Sequence, residues 1–258
     1  MSTRDRAKLR VCALYPDLMN IYADRGNLLL LERRCAWRGL GFELSACGLG
    51  ETLDGEGEHD LYYLGGGQDR DQRLCAEDLV SLKREGLRAA AARGAIVLGV
   101  CGGYQLLGES YELGPGETLP GAGLLAVRTV RADGPRLIGN VAIEVRLDVA
   151  AEHGGGDREA RVLAGFENHG GRTHLSAGQP ALGRVLRGHG NDGHSGLEGA
   201  RSANVIGTYL HGPLLPKNVW FADWLIAKGL GIEVEELAPL DDGLELQAHR
   251  DARRAAGV

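Results

Sequence analysis

Apolar residues fall in short runs through the first half of the chain, and between those runs they recur at helical spacing. Arg10 to Tyr15 reads as a first strand, followed by a helix over Asn27 to Arg38 with Leu28, Leu31 and Cys35 on one side. Phe42 to Cys47 and Asp60 to Leu64 read as further strands, and Asp78 to Ala92 as an amphipathic helix stopped by Gly94. Ala95 to Val100 is another apolar run of strand length. Strands alternating with helices imply an α/β fold, a three-layer sandwich with a mostly parallel central sheet. Later, Val141 to Leu147 alternates like a half-buried strand, and Asn204 to Leu210 reads as a late buried one. Asn218 stands where it would cap a helix carrying Val219, Trp220, Leu225 and Ile226. Glycine-rich stretches at Gly154 to Gly156 and Gly188 to Gly199 read as surface loops, and the polar tail after Leu246 as loosely ordered. No repeat or linker divides the chain, so 1–258 reads as one domain with its core over about 10–230.

Composition narrows the function. With 43% hydrophobic and 25% charged residues, 258 residues bury a core and remain soluble. A net charge of −6 argues against a nucleic-acid or membrane-surface binder. No apolar stretch reaches the length of a membrane span, and Met1 to Arg6 lacks the apolar core of a signal peptide. The 5 cysteines are odd in number and show no metal-type pairing, as expected of reduced thiols in a cytoplasm; no metal site is expected.

The chemistry concentrates at three strand ends. Ala95 to Val100 runs into Gly99-Val100-Cys101-Gly102-Gly103, and a short helical pattern follows. This is the layout of a nucleophile elbow, in which flanking glycines remove the Cβ atoms that would clash in the corner. A sulfur there lies at a helix N-terminus, where backbone amides favour thiolate. The plain alternative is a small apolar residue ending a buried strand. Of the 8 histidines, His211 is the best placed to act as base, because Asn204 to Leu210 brings it to the end of a second buried strand. Leu64-Gly65-Gly66-Gly67-Gln68-Asp69 follows a third strand, and its bare amides, with that of Gly102, suit an oxyanion hole. It lacks the Gly-Lys-Ser/Thr of a phosphate loop.

Triple glycine, then Gly-x-Cys-x-Gly-x-Gln, then a strand-borne histidine resembles the class I glutamine amidotransferases, whose fold is flavodoxin-like. Tyr209 to Asn218 resembles their cobyric-acid-synthase-like branch. Leu18 to Asn27 and Gly65 to Gln72 resemble the glutaminase subunits of lipid II isoglutaminyl synthases, and the likeness runs from about Arg10 to Leu230. The resemblance makes Cys101 the nucleophile, His211 its base, Gln105 a holder of glutamine, and Gly66 or Gly67 with Gly102 the oxyanion donors. It also calls for an arginine between the two motifs to grip glutamine. Arg136 fits that place, and Arg128 and Arg131 are rivals.

The implied activity is hydrolysis of L-glutamine, with ammonia passed to a Mur-ligase-like synthetase subunit in a heterodimer. That partner would use ATP to amidate the α-carboxyl of D-glutamate in the lipid II stem peptide; no cofactor is expected in this chain. One departure stands out: family members usually carry Pro-Glu after the histidine, and here Gly212 and Pro213 follow. The orienting carboxylate is then absent, comes from elsewhere in the chain, or comes from the partner. Glu167-Asn168-His169 resembles a motif of the same branch, either beside the site or ordering a loop. Rival readings are a cobyrinate-type acceptor, a non-enzymatic scaffold, and a cysteine α/β-hydrolase of the dienelactone-hydrolase kind with Asp133 or Asp148 as its acid.

Overall fold

The computed structural model describes residues 7–21, 24–53, 59–145 and 162–258. The first half runs β1 (Lys8–Leu14), α1 (Arg25–Trp37), β2 (Gly41–Cys47), β3 (Leu61–Leu64), α2 (Asp69–Asp78), α3 (Arg84–Ala92), β4 (Ile96–Val100) and α4 (Gly102–Leu107). A π-helical turn over Leu79–Lys83 joins α2 to α3, so this helical stretch starts well before Asp78. The first turns of α2 are almost wholly polar, and they are held by Gln72, Cys75 and Ala76 rather than by an apolar stripe. Eight strands follow: β5 (Ser110–Gly114), β6 (Glu117–Pro120), β7 (Val127–Arg131), β8 (Leu137–Val145), β9 (Val162–His169), β10 (Gly171–Leu175), β11 (Gly183–Arg187) and β12 (Leu197–Glu198). The chain closes with β13 (Ala200–Ser202), β14 (Val205–Thr208), α5 (Val219–Leu230) and α6 (Gly243–Ala256).

Six strands form one sheet in the order β13-β14-β4-β3-β1-β2, with every pairing parallel except β13 to β14. Every residue of β3, β4 and β14 is buried, as expected of strands covered on both faces. Parallel neighbours need helical crossovers, which α1, the α2–α3 stretch and α4 supply. The protein is thus an α/β protein. Two further four-stranded sheets, β10-β7-β5-β6 and β12-β11-β8-β9, lie in sequence between β4 and β14. Periodicity pointed to only one strand in that stretch, because most of these strands are short and half-exposed. Gly154 to Gly156 and Asp148 lie outside the described residues.

Three expectations are corrected. The tail after Leu246 is not loose but forms most of α6, through polar anchors that leave no apolar signature. Arg34 of α1 is fully buried and donates to both oxygens of Asp242, just before α6, and to both oxygens of Asp223 on α5. His249 Nδ1 donates to the Lys217 carbonyl at 2.8 Å, and Asn140 Nδ2 to that of Ala255 at 3.1 Å. Gly188 to Gly199 is likewise not all surface loop, since Asn191 and Glu198 are buried within it. Asn218 does precede α5, yet its side chain does not cap it. It bonds Ala164 N, Ala164 O and Leu214 O instead, clasping β9.

Removing the Arg34 guanidinium strands Asp242 while Arg38 still holds Asp223. Breaking a buried ion pair by deleting one partner costs about 3 kcal/mol or more. Arg34→Met is therefore expected to lower unfolding stability by about 3 kcal/mol, read from urea denaturation, with α6 the first helix to lose amide-exchange protection.

Candidate active site

β4 delivers Cys101 at φ +52° and ψ −107°, a backbone setting that costs a non-glycine residue about 1–3 kcal/mol. Its surroundings enforce it. The Cys101 amide donates to the Thr208 carbonyl at 2.8 Å, Gln105 N to the Cys101 carbonyl at 3.1 Å, and Gly103 N to the Gly65 carbonyl at 3.0 Å. A Cβ on Gly102 would lie 2.8 Å from Gly67 N, so only glycine fits where elbow and glycine loop touch. The Gly102 amide donates to the sulfur and lowers its pKa, but burial dominates and pushes the thiol up to about 12. Desolvation thus outweighs the thiolate preference expected of the helix N-terminus.

The glycine loop is stitched to the segment ahead of α1. Ile21 N donates to the Gly66 carbonyl at 3.1 Å, and Gly66 N donates to Asp24 Oδ2 at 2.8 Å. Of the two predicted oxyanion amides, Gly66 is therefore engaged, while Gly67 lies beside Gly102. Asp24 is fully buried, and burial pushes its carboxyl up to about 7 against the lowering by the Gly66 amide. Asn27 extends the clasp: its Nδ2 donates to the Tyr63 hydroxyl at 2.9 Å, and its Oδ1 accepts from Leu215 N at 2.8 Å. The start of α1 thus grips both the glycine loop and the segment that follows His211.

His211 stands just past β14, and its position is set by backbone. Phe166 and His211 exchange two main-chain bonds, at 3.0 and 3.1 Å, and their rings meet edge to face with centroids 6.0 Å apart. Upstream, buried Glu198 accepts from Tyr209 N at 2.6 Å and from the Thr208 hydroxyl. Burial pushes the His211 imidazole down to about 4, assisted by His169, Lys217 and Arg136. It is neutral at pH 7, the state a base requires. Elbow and histidine thus follow adjacent strands, with Cys101 bonded to the residue three positions before His211.

A cavity of about 320 Å³ opens at Cys101, near the lower limit of roughly 300–1,000 Å³ for small-molecule sites. Gly67, Gln105, Arg136, Asn168 and His169 line it, whereas His211 does not. The stretch inserted between β4 and β14 contributes Tyr111, Arg136, Asn168, His169 and Gly170 to the lining. Arg136 donates through Nε and Nη2 to Asn168, each at 2.7 Å, leaving Nη1 to face a ligand. Arg128 and Arg131 pair with Glu109 and Asp69 and do not line the cavity. Gln105 Nε2 donates to the Tyr209 hydroxyl at 3.1 Å, and His169 stacks on that ring at 3.6 Å. Within Glu167-Asn168-His169 the roles divide: Asn168 and His169 reach the cavity, while Glu167 accepts from His189 N and Gly190 N and orders a loop. The sequence reading missed Asp24, Glu198 and Tyr209 as supports, since polar partners brought in from distant elements leave no local pattern. No cluster of three metal-ligating side chains occurs among the described residues, and no described helix is long and apolar enough to cross a membrane.

Fold and site together describe an α/β protein with a cysteine at a strand–helix elbow, amides beside its sulfur, and a guanidinium across a small polar cavity. The chain belongs to the CobB/CobQ-like glutamine amidotransferase family, whose domain profile matches residues 10–219. It is 36% identical over 246 residues to the lipid II isoglutaminyl synthase (glutamine-hydrolyzing) subunit GatD of Staphylococcus aureus, covering 93% of each chain. It is 34% identical over 223 residues to the corresponding subunit of Streptococcus pneumoniae, covering 86% of this chain and 81% of that one. It is 39% identical over 166 residues to a Rhodobacter capsulatus cobyric acid synthase, covering 60% of this chain and 30% of that one.

The His211 shift gives a pH signature. Unfolded, the imidazole takes a proton near 6.5; folded, only near 4. Between those values the unfolded chain binds more protons, so stability falls as pH falls, by about 3 kcal/mol at roughly 1.36 kcal/mol per unit. Urea denaturation across this window is expected to show wild type losing about 3 kcal/mol more than His211→Asn; Asp24 and Glu198 titrate in both proteins and cancel.

Proposed function

We propose that this chain is the glutaminase subunit of a lipid II isoglutaminyl synthase, one glutamine amidotransferase domain built on a three-layer sandwich around the six-stranded sheet. The observation that carries the reading is the cavity itself, where Cys101, Gln105 and Arg136 meet the Gly67–Gly102 contact in a chain alike end to end to the GatD subunits. The length of that likeness favours this reading over the cobyrinate-type one, because the cobyric acid synthases match over only 26–38% of their length.

L-Glutamine enters with its side-chain amide at Cys101 and its α-carboxylate at Arg136. As the sulfur attacks the amide carbon, its proton passes to His211, which is unprotonated at neutral pH. A thiol held at about 12 makes that transfer part of the attack rather than a prior equilibrium. The oxyanion forms between the Gly67 and Gly102 amides. His211 returns the proton to the departing ammonia, takes one from the water that cleaves the thioester, and passes it to the leaving Cys101 sulfur as glutamate is freed. Gln105, braced by Tyr209, holds the substrate.

Ammonia lost to solvent would become ammonium. The reading therefore includes a Mur-ligase-like synthetase subunit that receives it in a cytoplasmic heterodimer. That partner uses ATP to convert the D-glutamate of the lipid II stem to D-isoglutamine, and this chain carries no cofactor of its own. With Pro213 where an acid usually stands, the partner also supplies the carboxylate that orients His211. A second candidate for the base follows from the cavity, which His169 lines and His211 does not.

The test is glutamate release by the chain with its partner. Cys101→Ala is expected to lower it at least about a thousandfold and to abolish labelling by diazo-oxo-norleucine. His211→Asn is expected to match that loss, with His169→Asn retaining most activity. The reverse order would transfer the base to His169, and undiminished activity in Cys101→Ala would end the reading.

A further inference from the structure

Resting on the glutaminase reading, we propose that Asp69 is the site for the α-ammonium group of glutamine. It lines the same cavity as the Arg136 guanidinium and makes the pocket selective for α-amino acids. The substrate carries two opposite charges on its α-carbon, and each needs a partner where water is limited. Arg136 offers a partner only to the carboxylate. Among the described residues lining the cavity, Asp69 is the one carboxylate.

Its geometry is fixed by two donors, one of them outside the cavity. Arg131 Nη1 donates to Asp69 Oδ2 at 2.6 Å, and the Tyr111 hydroxyl donates to Oδ1 at 3.3 Å. Arg131 itself does not line the cavity, and Tyr111 does. Two donors occupy two of roughly four lone-pair positions, leaving acceptor capacity for an ammonium. Both charges also act on the reacting sulfur: Asp69 raises the pKa of the Cys101 thiol, and Arg136 lowers it. Each is thus within electrostatic reach of the atom where the amide must sit, as the short glutamine side chain requires. A carboxylate in the first turn of α2 is favoured by the helix dipole in any case. The experiment therefore has to separate that structural role from recognition.

The probe is glutaramate, which has the side-chain amide and the carboxylate of glutamine but no α-ammonium. Ammonia release from glutamine and from glutaramate is measured for the full chain with its synthetase partner. Wild type is expected to favour glutamine in kcat/KM by about tenfold or more, the scale of one charged hydrogen bond. Asp69→Asn is expected to lose that factor on glutamine, chiefly through KM, and to change less than about twofold on glutaramate. Asp69→Glu should recover part of the preference. A wild type indifferent to the α-ammonium overturns the assignment, as does an Asp69→Asn that loses both substrates equally or neither. A wild type that releases ammonia from neither compound overturns the glutaminase reading itself, and this assignment with it.

Discussion

The single bond from the Cys101 amide to the Thr208 carbonyl holds the candidate site together. It keeps the elbow at a positive φ that cysteine would not adopt unaided, and it does so with the strand that leads to His211. The neighbouring contacts act on the same joint. Gly103 ties the elbow to Gly65, Asp24 ties Gly66 to α1, and Asn27 ties α1 to Leu215. Nucleophile, glycine loop and histidine segment are thus fixed relative to one another by hydrogen bonds on buried groups. Such bonds are costly to break, because an exposed alternative is not at hand.

The same burial sets the charge state at rest. It is the leading cause of every large shift at the site, raising Cys101, Asp24 and Glu198 and lowering His211. A neutral thiol and a neutral imidazole make a quiet site at rest, unlike the thiolate–imidazolium of more exposed cysteine enzymes. Reactivity then depends on what enters the cavity. In the proposed reaction the Gly67 and Gly102 amides stabilise the negative charge that grows on the substrate oxygen only once attack has begun.

Much of this was legible in the sequence. The strands β1 to β4 and β14 announce themselves as apolar runs, and Cys101, Gly67 and His211 each follow such a run, so their meeting at one sheet edge follows from parallel topology. Arg136 was legible only through family resemblance, since nothing in Pro135-Arg136-Leu137 marks it against Arg128 or Arg131. Its distinction is a tertiary one, the two bonds to Asn168. Asp24 and Glu198 were illegible for a related reason. A carboxylate reads as surface until the fold buries it: Asp24 meets a glycine amide far away in sequence, and Glu198 the end of β14. The α6 helix escaped notice likewise, its attachment resting on Arg34, Asp242 and His249.

The insertion of two whole sheets between β4 and its partner β14 has a consequence for how the molecule is made. The elbow leaves the ribosome long before the strand that must accept its amide proton, and everything from β5 to β12 is synthesised in between. Long-range parallel pairing of this kind is slow, because loop closure must precede any reward from contact. During that interval the nascent chain carries a sulfur not yet sealed by its neighbours, open to oxidation or to stray electrophiles. Closure of β14 against β4 therefore cannot precede synthesis of everything from β5 to β12.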